Sequence, residues 1–450
     1  MRIEVQWQLA TPTDPKGYAL AFLPASTPLS GLPRLDDPAE PNLPGIFALG
    51  FDTYNPPPPP GASRNDIMFG PLGNIANRPQ REVSLHRDGR ELANRLAPRS
   101  LSEPLALIID EVVGGVEVTL TVGGVAVYEN YFIPEVSLAL VKPILIGADA
   151  PLSVRRQGTP RWLSTPRKLN AFSQALNDAQ HHKIKNTVAF PDTTKIGRVV
   201  CTLTLASTPK GIDPWDRLAQ LFITDEAGER YEILRWITPY RKAWQWKVDL
   251  TDFLPLLRGK KELEIVCETY SEGWLISMDF DFYPGPIARE PYKVIKLWNG
   301  VARIGLADEP IEKFLVPQTL ATDRETVGAA FYSIVTGHGG SPNALNAGEF
   351  HPLWRRLHCD GRVFTNRLWK EDVYLNPCRP QGGTWKFPRA GWSPGDVVAP
   401  WLVDLTPALV PGKPLRLAYE LEPYINTTPD KGFPANHTFA SYLILYRKAR

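Results

Sequence analysis

The sequence predicts an all-β protein, and three observations indicate this class. The 450 residues include 45 prolines and 34 glycines, which suit many turns between short strands. Thirteen tryptophans and 15 tyrosines accompany only 3 methionines, a composition that favours aromatic surfaces. Alternating or β-branched runs recur along the whole chain, whereas helical patterns are scarce. Short strands at this density predict sandwiches or jelly rolls.

The strand-like runs lie between clusters of turn residues. The clearest five are Val116–Val122, Val199–Leu205, Glu262–Glu268, Leu415–Glu422 and Thr438–Tyr446. Within Leu275–Phe282 every second side chain, from Ile276 onwards, is apolar, which predicts a half-buried antiparallel strand. One segment, Pro166–Ala179, has a helical pattern and is expected to form the clearest helix.

Two changes in pattern divide the chain into three predicted domains, as expected for this length. Residues 151–182 are basic, polar and weakly patterned, and we expect a linker there. A second boundary falls in the proline-rich stretch 283–291. The predicted domains therefore cover about 1–150, 183–286 and 290–450. The tract Pro56–Pro60 is expected to form an exposed polyproline loop within the first of them.

Charge and hydropathy exclude several classes of protein. Fifty Lys and Arg residues against 48 Asp and Glu leave a net charge of +2, which does not favour nucleic acid or an anionic membrane as partner. No apolar stretch approaches the roughly 20 residues of a membrane span. Met1–Trp7 lacks the apolar run of a signal peptide, so an export signal is expected to have been removed or never present.

The four cysteines lack the paired short spacings of a zinc site. They are Cys201, Cys267, Cys359 and Cys378. One or two disulfides and buried free thiols are equally consistent with these positions.

Ordered motifs in the two later domains resemble one known family. The middle domain contains Ile212–Arg217, Glu232–Tyr240, Val248–Phe253, Glu262–Ile265 and Glu268–Tyr270. The third contains Gly337–Gly339, Gly348–Phe350, Gly383–Trp385 and Pro388–Gly395. Each motif is weak alone, but their order over about 183–450 resembles the peptide-N-glycosidase F family. The resemblance implies two adjacent eight-stranded antiparallel jelly rolls after the N-terminal domain.

The resemblance also implies an activity, the hydrolysis of the amide between an N-linked glycan and its asparagine. The glycan leaves as a glycosylamine, asparagine becomes aspartate, and no cofactor or metal is required. Asp216 matches the family's essential carboxylate, Glu349 a second carboxylate that holds substrate and water, and Glu268 a third tied to sugar binding. Arg217 and Arg389 match arginines beside the same cleft between the two jelly rolls.

Amide hydrolysis gives a physical reason for this set of residues. Resonance stabilises the amide, so a site must deprotonate water and protonate the departing nitrogen. Two carboxylates in different surroundings can divide that work, since one can stay ionised while the other holds a proton. Tyr240, Tyr270 and Trp392 are expected to form an aromatic wall for sugar rings, and His338 is either a loop residue or part of the cleft.

Several positions depart from the family's pattern. Ala347 and His351 replace cysteines that flank the second carboxylate, and Ser393 replaces the cysteine expected to pair with Cys378. Without the flanking cysteines at 347 and 351, the loop of Glu349 is either looser or held by packing. Thr336 and Tyr270 stand where tryptophans are expected, so glycan preference, including tolerance of core fucose, is less well defined than reaction type.

The N-terminal domain resembles a lectin-like, concanavalin-type β-sandwich at Ile46–Asn55. Gly50 replaces the acidic residue of a lectin calcium site and Asn55 is displaced by the proline tract, so no metal is assigned. A structural or interface role is favoured over active sugar binding.

Other function classes remain open. A catalytically silent glycan-binding protein would use the same folds, and an endoglycosidase would also use two carboxylates. A copper monooxygenase needs clustered His and Met ligands, whereas this chain has 7 His and 3 Met, widely scattered. The expected partner is an N-glycoprotein or glycopeptide, with neither nucleic acid nor membrane. A secreted or periplasmic location and a monomer are expected.

Overall fold

The structure is a computed structural model that describes residues 1–9, 13–14, 16–27, 35, 37–53, 81–139, 141–159, 164–341, 347–430 and 432–449. The chain forms two compact units, Met1–Thr165 with Tyr374–Arg379, and Pro166–Val373 with Pro380–Arg450. Within the described ranges, no helix is long and apolar enough to cross a bilayer. Single 3₁₀ turns occur at Thr251–Phe253, Ile311–Lys313, Val373–Leu375 and Thr406–Ala408. The polyproline tract lies outside the described residues.

The N-terminal unit is a sandwich of two five-stranded antiparallel sheets, as the sequence predicted. Its strands are β1 (Arg2–Trp7), β2 (Gly17–Pro24), β3 (Phe47–Asp52), β4 (Glu82–Arg87), β5 (Arg90–Leu96), β6 (Leu105–Val112), β7 (Gly115–Val122), β8 (Val125–Pro134), β9 (Val141–Ile146) and β10 (Ser153–Gln157). The sheet orders are β10-β1-β6-β7-β8 and β5-β4-β3-β2-β9. Tyr18 and Phe51 stack at 4.6 Å in the core between the sheets.

A cluster of charged residues in this unit is already satisfied by protein groups. The side chains of Glu40, His86 and Glu91 have ligand atoms within 4.8 Å of one another, a spacing suitable for a metal. However, Arg379 donates to both carboxylate oxygens of Glu91, at 2.6 and 2.8 Å, and to Glu40 at 3.3 Å. The ring nitrogens of His86 bond to side-chain oxygens of Asn42 and Ser84. We therefore assign an ion-pair cluster here.

The second unit begins with a jelly roll. Its strands are β11 (Arg167–Asn177), β12 (Lys183–Phe190), β13 (Ile196–Ala206), β14 (Leu218–Thr224), β15 (Arg230–Ile237), β16 (Trp244–Asp249), β17 (Gly259–Cys267) and β18 (Trp274–Pro284). The two antiparallel sheets are β11-β18-β13-β16 and β12-β17-β14-β15, and the latter gains a fifth strand from later in the chain. The predicted alternation in β18 is confirmed, because its four apolar side chains are all buried in the core.

A second jelly roll completes this unit. Its strands are β19 (Arg289–Arg303), β20 (Gln318–Leu320), β21 (Thr326–His338), β22 (Leu353–Cys359), β23 (Arg362–Leu368), β25 (Trp401–Asp404), β26 (Leu415–Leu421) and β27 (Asn436–Lys448). The sheet orders are β19-β27-β21-β25 and β20-β26-β22-β23. Strand β24 (Asp396–Val397) instead pairs with β15 of the first jelly roll. The predicted all-β fold with two eight-stranded jelly rolls is confirmed.

The prediction of a helix at Pro166–Ala179 is wrong, because Arg167–Asn177 forms strand β11. Its register against β18 shifts between Asn170 and Phe172 and again between Phe172 and Ala175. These bulges interrupt the two-residue period and give the apolar residues a helix-like spacing. The segment 151–182, where a linker is expected, contains β10 and β11. The domain boundaries themselves stay a prediction.

The two jelly rolls share a continuous core. Phe253 of the first packs edge-on against Tyr332 and Tyr442 of the second, with ring centroids 5.1 and 5.7 Å apart. Beside this apolar contact, the guanidinium of Arg235 is fully buried and binds both carboxylate oxygens of Glu232, at 2.6 and 2.8 Å. It also donates to the Thr336 hydroxyl at 2.8 Å and to the carbonyl of residue 438 at 2.7 Å. Arg235 therefore joins the jelly rolls by hydrogen bonds.

A partly buried carboxylate at this junction, Asp252, is expected to make the stability of the fold depend on pH. Tyr446 donates to Asp252 at 2.8 Å, yet burial raises the pKa of Asp252 from 3.8 to about 6. Because the folded-state pKa is raised, this group's stabilising contribution is complete below about pH 4 and is lost as the pH rises through 6. We expect Asp252→Asn to remove about 3 kcal/mol of pH dependence between these limits. Urea unfolding of both proteins from pH 4 to 7 measures it, and identical slopes would contradict it.

Candidate active site

The loop between β13 and β14 positions Asp216 through a fully buried neighbour, Asp213. One oxygen of Asp213 accepts the backbone N–H of Trp215 at 2.7 Å. The other accepts the hydroxyl of Thr269 and the Nε–H of Arg217, the latter at 3.4 Å. Since Thr269 lies two residues after the end of β17, one carboxylate fixes both the Asp216 loop and the segment that contains Glu268.

Arg389 joins residues from both jelly rolls and has no solvent exposure. Its Nε donates to Glu349 Oε1 at 2.9 Å, and its Nη2 lies 3.6 Å from Asp216 Oδ2. The carbonyls of Thr384 and Phe387 accept from Nη1 at 2.9 and 2.8 Å. Protein oxygens thus hold the guanidinium through all three of its nitrogens, so both carboxylates contact one rigid cation.

The two carboxylates differ in their electrostatic surroundings. Burial raises the pKa of Asp216, while the Tyr240 hydroxyl, Arg389 and Arg217 oppose that rise. Burial also raises the pKa of Glu349, where Arg389 opposes the rise but the charge of Asp216 adds to it. Both side chains keep access to solvent, 16% for Asp216 and 28% for Glu349. The pair can therefore hold one proton and one negative charge near a substrate.

Thr384 links Tyr240 to Arg389. Its hydroxyl accepts from Arg389 Nη2 at 2.8 Å and lies 3.1 Å from the Tyr240 hydroxyl, which also interacts with Asp216. Gly383 has a φ of +60°, and a Cβ there would lie 2.6 Å from the Tyr240 ring. Glycine is thus required for the close approach of this loop to Tyr240.

The expected aromatic wall is only partly formed. Tyr240 and Trp392 are buried, whereas Tyr270 is 69% exposed. The Trp392 ring lies between Arg389, 4.8 Å from its centroid, and the stacked ring of His338 at 5.3 Å. Two of the three predicted rings therefore support the site from inside the fold, and Tyr270 alone presents a face to solvent.

His338 supports the site as a neutral side chain. Its Nε2 lies 2.8 Å from the Thr336 hydroxyl, and burial lowers its pKa to about 3. It therefore contributes packing and a hydrogen bond at physiological pH.

Glu268 is exposed just after β17, and among the described residues it forms no hydrogen bond or ion pair with Asp216, Glu349 or Arg389. Two residues later, the Tyr270 ring lies 5.7 Å from the Arg217 guanidinium. Trp215, beside Asp216, is 57% exposed. We call the exposed side chains of Trp215, Glu268 and Tyr270, with Arg217 beside Tyr270, the rim of the first jelly roll.

The loop of Glu349 is held by backbone contacts. The carbonyl of Glu349 accepts from Ala390 N, and the carbonyl of Ala390 accepts from Gly337 N, both at 2.9 Å. The ring of His351 stacks on Tyr424 at 4.1 Å. Of the two possibilities for this loop, packing is therefore the one observed. All four cysteines are buried, and none of them forms a disulfide.

Asp213 and Thr384 are the functional residues that sequence reasoning missed. Asp213 belongs to the quoted Ile212–Arg217 motif and Thr384 to Gly383–Trp385, so the motifs gave the only signal. Their roles depend on hydrogen bonds to residues far away in sequence, such as Thr269 and Tyr240.

We expect Asp213→Asn to lower turnover about 10- to 100-fold, because the Asp216 loop loses an acceptor and shifts. The matched control is Asp225→Asn, since Asp225 accepts two backbone N–H groups in the turn at the opposite end of the β14–β15 hairpin. Steady-state kinetics should show a loss in kcat for the first variant alone. Equal kcat values would contradict a positioning role for Asp213.

Comparison with known proteins agrees with this geometry. Residues 310–443, which include Glu349, Thr384 and Arg389, match the family described as "Peptide-N-glycosidase F, C terminal". Peptide-N(4)-(N-acetyl-beta-D-glucosaminyl)asparagine amidase F of Elizabethkingia miricola is 26% identical over 273 residues, or 57% of this chain and 76% of that protein. The chain is a relative of peptide-N-glycosidase F. The resemblance found in its motifs is confirmed.

Solved structures of peptide-N-glycosidase F show the same fold. The structure of PNGase F, a glycosylasparaginase from Flavobacterium meningosepticum, superposes with a TM-score of 0.54 at 24% identity. It covers 63% of this chain and 96% of its own. The recombinant peptide N-glycanase F has a TM-score of 0.52 with the same coverage and identity. The paired jelly rolls are thus the fold of these PNGase F structures.

Proposed function

We propose that the protein is a peptide-N-glycosidase that hydrolyses the amide between the first N-acetylglucosamine of an N-glycan and its asparagine. The observation that supports this most is the contact of Arg389 with both Asp216 and Glu349, 3.6 and 2.9 Å away. The three residues come from two jelly rolls, and both carboxylates are accessible to a substrate. This relative of peptide-N-glycosidase F therefore has a carboxylate pair suited to amide hydrolysis.

The surroundings of the two carboxylates support different roles for them in this proposal. Asp216 has three groups that favour its ionised form, the Tyr240 hydroxyl, Arg389 and Arg217. Its negative charge in turn raises the pKa of Glu349. We assign the principal acid–base role to Asp216, while Glu349 and Arg389 orient the catalytic water and the amide. Glu268 and the exposed ring of Tyr270 bind sugar at the rim.

A defined N-glycopeptide incubated in heavy-oxygen water tests the reaction type. Hydrolysis of the amide converts the glycosylated Asn into Asp with one heavy oxygen, which mass spectrometry of the peptide detects. A single N-acetylglucosamine left on Asn would instead identify an endoglycosidase. An unchanged glycopeptide over several glycan types would favour the silent binding protein. The secreted or periplasmic location and the monomeric state remain predictions.

A further inference from the structure

A cavity of about 340 Å³ lies next to the exposed Tyr270 ring, outside the carboxylate pair. Its volume is at the lower end of the roughly 300–1,000 Å³ of small-molecule sites. The side chains that line it and bear on binding are Asp178, Gln180, Lys210, Tyr270, Ser271 and Glu272. Hydroxyl, amide, ammonium and carboxylate groups thus surround one aromatic face.

Buried contacts fix two of the three loops that form the cavity. The side-chain amide of Asn177 is buried and donates to the carbonyls of His181 and Cys267, at 2.8 and 2.9 Å. This ties the 178–182 turn to the end of β17. Gly273 has a φ of +71°, and a Cβ there would lie 1.7 Å from the Asn177 carbonyl oxygen. The 270–273 loop is therefore packed directly on the turn that faces it.

The third loop presents Lys210. Thr208 and Gly211 exchange two backbone hydrogen bonds of 3.0 and 3.1 Å, and the Thr208 hydroxyl accepts from Lys210 N at 3.1 Å. Gly211 has a φ of +118°, and a Cβ there would lie 3.8 Å from the side chain of Glu272. Lys210 and Glu272 therefore lie on adjoining loops, and both line the opening of the cavity.

The lining favours a neutral, hydroxyl-rich ligand over an acidic one. The positive charge of Lys210 in the lining is accompanied by the negative charges of Asp178 and Glu272. Hydrogen bonds lower the pKa of Asp178, so its carboxyl group stays ionised. The Tyr270 ring is perpendicular to that of His182 at 5.5 Å and lies 5.7 Å from the Arg217 guanidinium, yet it stays 69% exposed, so much of its surface is open to a ligand. An exposed aromatic ring can pack against the C–H face of a pyranose. The ammonium group can donate to the sugar hydroxyls, and the carboxylates can accept from them.

We infer that this cavity is a subsite for a neutral sugar of the glycan beyond the two N-acetylglucosamine residues next to asparagine. The inference rests on the proposed function. It requires that the reacting amide lies at Asp216 and Glu349, because only then would the glycan extend past Glu268 to Tyr270. Tyr270 lies two residues after Glu268 and forms a wall of the cavity. The subsite gives the protein a preference for longer glycans.

Two glycopeptides with one peptide sequence test the subsite, one with two N-acetylglucosamine residues and one with a complete branched glycan. We expect the Lys210→Met/Glu272→Gln variant to lower kcat/KM about tenfold for the long glycan, from the loss of about two hydrogen bonds, and less than twofold for the short one. Lys260→Met is the matched control, because Lys260 is exposed at the opposite end of β17. Equal effects on both substrates, or none, would overturn the subsite.

A binding measurement separates failure of the subsite from failure of the proposed function. Calorimetric titration with the free oligosaccharides needs no hydrolysis. Tighter binding of the branched oligosaccharide than of the disaccharide by wild type, lost in the double variant, supports the subsite even if neither glycopeptide is cleaved. Equal affinity of wild type for both oligosaccharides would overturn it, whatever the enzyme activity.

Discussion

The Asp216→Asn variant is expected to hydrolyse a defined N-glycopeptide at least about 1,000-fold more slowly than wild type at saturating substrate. Asparagine keeps the size of the side chain and a carbonyl oxygen for the Tyr240 hydroxyl, but it can neither take up a proton nor attract Arg389 as an ion. The loss should fall on kcat, with KM little changed. Steady-state kinetics with mass spectrometry of the peptide measures both constants.

The residual activity of this variant gives a second test through its pH dependence. The negative charge of Asp216 raises the pKa of Glu349, so Asp216→Asn should lower that pKa. In a plot of residual activity against pH, the fall in activity on the acidic side should therefore occur at lower pH. Asp192→Asn is the control, because Asp192 caps a surface turn by accepting Thr194 N and Oγ1–H in the same jelly roll. Turnover of Asp216→Asn near that of the control would exclude Asp216 from proton transfer.

The second large effect is on stability. Arg235→Met should lower the free energy of unfolding by about 3–5 kcal/mol, because Glu232 would be left as an uncompensated buried carboxylate. The Thr336 hydroxyl and the carbonyl of residue 438 would also lose a donor. Denaturant unfolding at neutral pH measures the change.

Two further variants serve as controls for the stability of Arg235→Met. Arg356→Met removes an exposed pair with Glu420, both about half exposed, and should cost less than about 1 kcal/mol. Removing both charges with Arg235→Met/Glu232→Leu should recover much of the loss, since no buried charge then remains. A cost for Arg235→Met no greater than for Arg356→Met would show that the buried pair does not stabilise the junction.

The sequence predicted the fold well where one face of a strand is buried and the other is not. Alternation in β18 and the run Val116–Val122 gave strands that the structure contains. Strand β11 was missed because its bulges break that alternation, and a bulge depends on the partner strand rather than on local sequence.

The candidate site was predictable from ordered motifs, but its geometry was not. Motifs identified Asp216, Glu349 and Arg389, which the structure brings together. They could not show that Tyr240 and Trp392 are buried, because burial is decided by loops distant in sequence. For the same reason Asp213 and Thr384 went unnoticed, as their partners lie 56 and 144 residues away.

The pairing of β24 with β15 has a consequence for biosynthesis. The two-residue strand Asp396–Val397 is separated from β15 by most of the second jelly roll, so during translation β15 leaves the ribosome about 160 residues before its partner. Until then its outer backbone N–H and C=O groups form an open edge, a template for pairing with another nascent chain. We therefore expect slow translation of the second jelly roll to lengthen the period in which this edge can pair with another chain.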